Sequence, residues 1–259
     1  MAARPPTERR RTPNAGPAAS PRGARGRANL AEIAYDRLES LIVTCALPPG
    51  QYLSIQDLQQ RTDCGRTPTH QAVSRLASDT LILIRPRHGL RIAPIDLARE
   101  RTLVQLRRSL EGFVTRLAAE RCGASERNHF RHLARLLREE EAAMTIDRFN
   151  QLDRRIDRLL LQTAGEPFLE HTLRPLHTIF RRSGWIYYKH VRPREGLQRT
   201  IACHLEILDA VAANQVRHAV AAADRLVSFS DSMFDALGDG VDPALFDCTA
   251  AAPGEEHAA

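Results

Sequence analysis

The sequence predicts a mainly α-helical protein in two parts: a small N-terminal head of short helices and a two-stranded hairpin, then a larger antiparallel helical bundle. Three observations carry that prediction. Residues 53–92 hold two short amphipathic runs, an alternating apolar run and a glycine-tipped turn. Beyond Pro94, apolar residues recur at helical spacing almost without a break to Leu237. Aromatics make up only 5% of a chain that is 43% hydrophobic, so the core must be mostly Leu, Ile, Val and Ala, which suits helices.

Composition sets the outer segments apart. Residues 1–28 are rich in Pro, Gly, Ala and Arg, show no hydrophobic period, and are expected to be disordered. Their seven arginines against the single acid Glu8 account for the whole net charge of +6, so the folded body is neutral. Two readings stand side by side. One is a flexible arm adding salt-sensitive phosphate contacts, which in the extreme would make the protein a nonspecific nucleic-acid packager. The other is an extension whose arginines merely follow the composition, since 36 of the 37 basic residues are Arg. Residues 29–95 form the head, 96–238 the bundle, and 239–259, rich in Gly, Asp, Ala and Pro, are expected to fray.

Several classes are excluded at this level. No apolar run approaches the ~18 residues that a membrane span needs, and the N-terminus has no apolar signal core. The five cysteines, at 45, 64, 122, 203 and 248, are scattered and odd in number, which points to a reducing cytoplasm. There is no phosphate loop, nucleophile elbow or HExxH motif. Glu126 and His129 have the spacing of a bundle di-iron site, but no second copy exists, and a helix N-terminal surface pattern accounts for them equally.

In the head, the apolar positions 30, 33, 34, 38, 41 and 42 share one helical face, predicting a first helix from Leu30 to Val43 that ends before Pro48-Pro49-Gly50. Ser54 with Asp57 three residues on predicts a capped second helix with Leu58 inward. Thr62-Asp63-Cys64-Gly65 breaks it. Arg66-Thr67-Pro68 starts a third helix, running to about Ser78 with Ala72, Val73 and Leu76 on one face. Leu81 to Ile84 alternates as a strand, Arg85-Pro86-Arg87-His88-Gly89 turns, and Leu90-Arg91-Ile92 returns.

Two short helices and a basic-tipped hairpin suggest a winged helix-turn-helix. Arg66, Thr67, Thr69, His70, Gln71 and Arg75 then fall on the exposed face of its second helix, suited to phosphates or base edges in a major groove. Arg87, His88 and Gly89 form a narrow cationic tip suited to a minor groove. A helical subdomain with a purely structural hairpin is the alternative.

The chain carries Pro49-Gly50, then Gly65-Arg66-Thr67-Pro68-Thr69-His70-Gln71-Ala72-Val73, then His88-Gly89. In this it resembles the winged-helix domain of the GntR family of bacterial transcription regulators, whose recognition stretch reads Ser-Arg-Thr-Pro-Val-Arg-Glu-Ala-Leu. Gly65 stands for the capping serine, His70 for an arginine, and Gln56 where the family often has another arginine. Two fixed charges are therefore missing from the DNA face that the resemblance implies.

The bundle is marked by six apolar stripes. They run through Leu103, Leu106, Leu110, Phe113, Val114 and Leu117; Phe130, Leu133, Leu136 and Leu137; Phe149, Leu152, Ile156, Leu159 and Leu160; Leu169, Leu173, Leu176, Ile179 and Phe180; Ile201, Leu205, Leu208 and Val211; and Val216, Val220, Ala223, Val227 and Phe234. The segments Arg107-Arg108-Ser109-Leu110-Glu111, Leu152 to Asp157, Ala164-Gly165-Glu166-Pro167 and His204 to Ala210 resemble the FCD ligand-sensing domain of the FadR subfamily.

That resemblance implies an effector cavity and, in many members, a divalent metal (Zn, Mn or Ni) held by an aspartate, a histidine four residues later and two more histidines. Here the four positions hold Asp153, Asp157, His204 and Leu226, the last unable to bind a metal. Asp153 and Asp157 do share a helical face, yet Arg154, Arg155 and Arg158 lie near enough to make this an ordinary charged surface. The resemblance also points Arg107 into the cavity, where a guanidinium suits a carboxylate; pairing with Glu111 is the alternative. Trp185, Tyr187 and Tyr188 form the densest aromatic cluster, fit to wall a pocket for a ring-bearing acid or to serve as core or dimer contacts.

The resulting expectation is a cytoplasmic homodimer that binds a palindromic double-stranded operator. A small organic acid, bound near Arg107, Asp153, Asp157, Trp185, Tyr188 and His204, would release repression. The rival is a helical metal-binding protein or metalloenzyme with a vestigial head.

Overall fold

The computed structural model describes residues 22–192 and 196–249, with side chains from Leu30 onward. The head opens with α1 (Arg22–Val43), followed by β1 (Tyr52–Leu53), α2 (Ile55–Thr62), α3 (Arg66–Ser78), β2 (Ile82–Arg85) and β3 (Gly89–Ile92). The bundle consists of α4 (Leu97–Arg121), α5 (Ala124–Glu140), α6 (Ile146–Ala164), α7 (Pro167–Ile186), α8 (Gln198–Ala212) and α9 (Val216–Gly240). A π turn at Tyr187–Val191 extends α7, and a 3-10 turn at Pro243–Leu245 follows α9.

The head follows from its local chemistry. Ser54 and Asp57 form a reciprocal capping box at the start of α2, satisfying two amides that the first turn leaves unpaired. Gly65 begins α3 with no side-chain cap. Tyr35, Leu38 and Ile42 of α1 close over Leu58, Ala72, Val73, Leu76, Leu81, Ile82 and Ile92 to make the head's core. Pro86 and Arg87, with Arg87 at φ +68° and the His88 amide donating to the Arg85 carbonyl, form the wing turn. Gly89 sits at φ +83°, and a Cβ added there would lie 3.0 Å from the Leu53 carbonyl oxygen, so a side chain would be both strained and crowded.

Four expectations need correction. α1 begins at Arg22, so part of the segment expected to be disordered is helical; residues 1–21 lie outside the described residues. The wing has a third, antiparallel strand: β1 pairs Tyr52 with Arg91 and Leu53 with Leu90, giving the order β1-β3-β2. Two residues are too few to show a period in sequence. Residues 241–249 do not fray but lie against the head: the Ile95 amide donates to the Phe246 carbonyl (2.8 Å), the Cys248 amide to the Pro49 carbonyl (2.8 Å), and Arg91 pairs with Asp247 (2.7 Å). Residues 250–259 lie outside the described residues.

The fourth correction concerns which side of α4 is buried. Val104, Arg107, Glu111, Val114, Thr115 and Ala118 face the bundle interior, while Leu106 and Phe113 are 47% and 43% exposed. The leucine stripe is real but sits at the edge of the bundle, because α6, α7 and α9 pack against the stripe that contains the ion pair. Elsewhere the predicted stripes are buried much as read, including Phe130, Leu137, Leu152, Ile156, Leu173, Ile201, Val227 and Phe234.

Head and bundle meet along α7. Ile179 belongs to the head's core. One turn either side, Arg174 stacks on the Tyr35 ring (4.6 Å) and Arg182 donates to the Ala93 carbonyl (2.7 Å).

Candidate functional site

Two places gather polar groups. The first is the outer surface of the head. Arg66, Thr67, His70 and Gln71 of α3, Gln56 of α2, and Arg87, His88 and Gly89 of the wing are all exposed, and among the described residues their side chains make no hydrogen bond or ion pair. They are held in place from behind by the buried Ala72, Val73 and Leu76.

The second is a cavity in the bundle, lined by residues of α4, α6, α7, α8 and α9, of about 60 Å³. Its walls are apolar on one side, with Phe149, Phe180, Leu226, Met233 and Phe234, and charged on the other. Arg107 uses Nε to donate to Glu111 (3.1 Å), and its guanidinium lies 4.7 Å over the Phe180 ring. Its two terminal nitrogens have no partner among the described residues, and the side chain lines the cavity. Glu111 also pairs with His177 Nε2 (2.8 Å), whose Nδ1 lies 3.2 Å from Asp157.

Arg181 stands between the two aspartates. One terminal nitrogen donates to Asp157 (3.2 Å), and Nε lies 3.1 Å from Asp153 in an ion-pair contact that is poorly aligned as a hydrogen bond. The same guanidinium lies 3.5 Å from Glu39 of α1, which is also contacted by Arg154 (2.7 Å) and Thr178. Asp153 accepts a further hydrogen bond from His204 Nε2 (2.8 Å), while His204 Nδ1 lies 2.7 Å from the Thr200 carbonyl.

The charges follow from these contacts. Burial alone would raise the Asp153 carboxyl, but the His204 hydrogen bond and charge, aided by Arg181, hold it below the usual carboxylate range. For Asp157 burial wins, reinforced by the neighbouring Asp153 and Glu111 charges, and its carboxyl is pushed up despite His177 and Arg181. Burial works against a proton on His204, yet the Asp153 contact raises it. Both ring nitrogens of His204 face acceptors that cannot donate, so hydrogen bonding also requires the imidazolium.

Comparison with known proteins places these features in a family. Residues 30–92 match the model of "Bacterial regulatory proteins, gntR family", and residues 102–229 match the FCD domain. The HTH-type transcriptional repressor RspR of Escherichia coli K12 is 31% identical over 182 residues, covering 68% of this chain and 76% of the relative. The chain belongs to the gntR family of bacterial regulatory proteins. It is a transcription regulator with an FCD domain. The fold agrees with solved structures of E. coli McbR/YncC (TM-score 0.70, 17% identity, 81% of this chain and 99% of that one) and of a putative GntR regulator from Rhodococcus sp. RHA1 (TM-score 0.59, 18% identity, 83% and 99%). No helix among the described residues is long and apolar enough to cross a membrane.

Within this GntR frame, three sequence-predicted site residues fall elsewhere. Thr69 is fully buried, its hydroxyl donating to the Gly65 carbonyl (3.0 Å), so it locks the first turn of α3 and cannot reach a base. Arg75 pairs with Glu32 and stacks on Tyr35 (4.4 Å), which ties it to α1 instead of freeing it for phosphate. Trp185 does not line the cavity; its indole donates to Asp147 (2.9 Å) on the outer side of the bundle. Tyr188, Asp153, Asp157, His204 and Arg107 do line it, as does Leu226.

The residues that complete the network were not singled out from sequence: His177, Arg181 and Glu39. A signal existed. Each is a charged or titratable residue inside an otherwise apolar helical stripe, His177 and Arg181 among Leu173, Leu176 and Phe180, and Glu39 among Tyr35, Leu38 and Ile42.

The divalent metal that the FCD resemblance implies does not fit this donor set. Asp153 has both oxygens engaged, by His204 and Arg181; His204 has no free lone pair; Leu226 offers no ligand. Among the described residues no group of three His, Cys, Asp or Glu side chains is disposed to hold a metal ion.

Proposed function

We propose that this GntR regulator is a cytoplasmic repressor that binds a palindromic operator as a homodimer and is released by a small organic acid. The observation that carries the reading is Arg107: a buried cation with one nitrogen anchored on Glu111 and two, without partners among the described residues, at the wall of the bundle cavity. A guanidinium so placed suits a carboxylate. At ~10–15 Å³ per water, the cavity holds roughly four to six waters. A small organic acid suits a space of that kind.

The head supplies the reader. Arg66, Thr67, His70 and Gln71 enter the major groove, Gln56 sits beside them, and Arg87, His88 and Gly89 reach the minor groove. A two-fold operator requires two heads. The exposed Leu106 and Phe113, with Leu103, Leu110 and Leu117 at alternating spacings of three and four along α4, offer a seam to a second copy. An acid drawing on Arg107 pulls at Glu111 and His177, hence at α7, which carries Ile179 into the head's core. A ligand that favours one α7 position shifts the heads' spacing by its differential affinity for that position.

The test is a gel shift on the protein's own upstream DNA, titrated with small mono- and dicarboxylic acids. Release by one of them is expected, and Arg107→Met should bind the operator but no longer be released. Failure of the parent protein to shift any upstream fragment, or equal release of parent and R107M, would sink the proposal.

A further inference from the structure

We propose that Arg181 is the resident cation of this FCD cavity, a guanidinium doing the work that the family resemblance assigns to a divalent metal. A metal in such a site neutralises carboxylates from α6 and ties them to neighbouring helices. Arg181 makes those connections from α7: its nitrogens reach Asp157 at 3.2 Å and Asp153 at 3.1 Å. The substitutions around it agree. The implied second ligand is Asp157, which needs a cation beside it, and the implied fourth is Leu226, which packs as wall. His204, the remaining implied donor, spends both ring nitrogens on Asp153 and Thr200. A dication added here would have to expel Arg181 from between the two aspartates or sit against its charge.

This cation also reaches a place that a bound ion in the cavity does not. It is covalently part of α7, and 3.5 Å away it faces Glu39 of α1, buried between the head and the bundle. The cavity and the head therefore share one charged group. The inference concerns how the cavity is held together, and it stands or falls apart from the choice of effector above.

The experiment uses full-length, tag-free protein. Elemental analysis after dialysis should find far less than one equivalent of Zn, Mn or Ni per chain. The thermal midpoint and the operator shift should be unmoved by EDTA or by added Mn²⁺ or Ni²⁺. Arg181→Ala combined with Leu226→His frees the carboxylates and adds a donor, and should gain a saturable rise in midpoint with Ni²⁺. Arg181→Lys keeps a cation in place and should stay metal-free. Parent protein that retains one equivalent of metal through dialysis, or that is stabilised by Mn²⁺ or Ni²⁺, overturns the proposal.

Discussion

The outer face of the head and the interior of the bundle are both rich in Arg, His and polar side chains, yet they treat them in opposite ways. On the head, the side chains of Arg66, His70, Gln71, Arg87 and His88 are exposed and make no hydrogen bond within the described residues. In the bundle, Glu111, Asp153, His177, Arg181 and His204 are buried, with Asp157 half-buried beside them, and they pair with one another, leaving the terminal nitrogens of Arg107 as an open valence. A surface that must meet a partner keeps its donors free and its scaffold apolar. An interior that must hold shape saturates its charges, because a buried unpaired charge costs far more than the pair contributes.

That contrast can be broken from the inside first. Glu39→Ala removes a fully buried carboxylate shared by Arg154, Arg181 and Thr178. It should cost about 3–5 kcal/mol, read as a fall in denaturation midpoint, whereas a loss under ~1 kcal/mol would mean the network relaxes freely.

Next comes Glu100, buried beside Ser183 and Arg182, whose carboxyl burial pushes up to about 7 against the opposing Ser183 hydrogen bond. The folded chain holds this proton more tightly than the unfolded one, so the group's contribution falls as pH rises from 4.5 to about 7 and then stays level. Glu100→Gln should therefore gain stability relative to the parent between pH 5 and pH 8, by roughly 3 kcal/mol at most. Parallel pH profiles for the two proteins would contradict the shift.

The surface side should respond in affinity with stability nearly unchanged. Arg66→Ala is expected to weaken operator binding by about 1–3 kcal/mol, measured by fluorescence anisotropy at fixed salt, with its melting curve unaltered. Thr69→Val should do the reverse, since its hydroxyl works only within the head; a loss of the hydrogen bond costs ~1 kcal/mol and leaves sequence preference intact. The smallest effect concerns Arg87, held at φ +68° where glycine is at ease. Arg87→Gly should relieve about 1 kcal/mol of strain while lowering operator affinity, and a destabilised variant would argue that the arginine's place at the tip is structural.

The same contrast explains what could be read from the sequence. Periodicity located every helix of the head and bundle, because burying Leu38, Leu76, Leu152 or Phe234 is a local consequence of 3.6-residue spacing. The capping box at Ser54 and the wing turn at Pro86 are likewise local. What escaped was determined at a distance. Thr69 looked outward by spacing, yet its hydroxyl reaches back to its own first turn. Arg75 looked free, yet Tyr35 and Glu32 lie some forty residues away. The leucines of α4 seemed to mark its inner side, but the ion pair of Arg107 and Glu111 points inward because His177 arrives from α7 to meet it. β1 is too short to announce itself, and nothing local to Asp247 announces its pairing with Arg91.

That last contact has a kinetic corollary. The bonds from Cys248 to Pro49 and from Arg91 to Asp247 join positions 156 or more residues apart, so closing them fixes a very long loop and they should form late. They should also be first to open. The amides of Ile95 and Cys248 are expected to exchange with solvent well before those of α3 or α6, as a seam that parts while both halves remain intact.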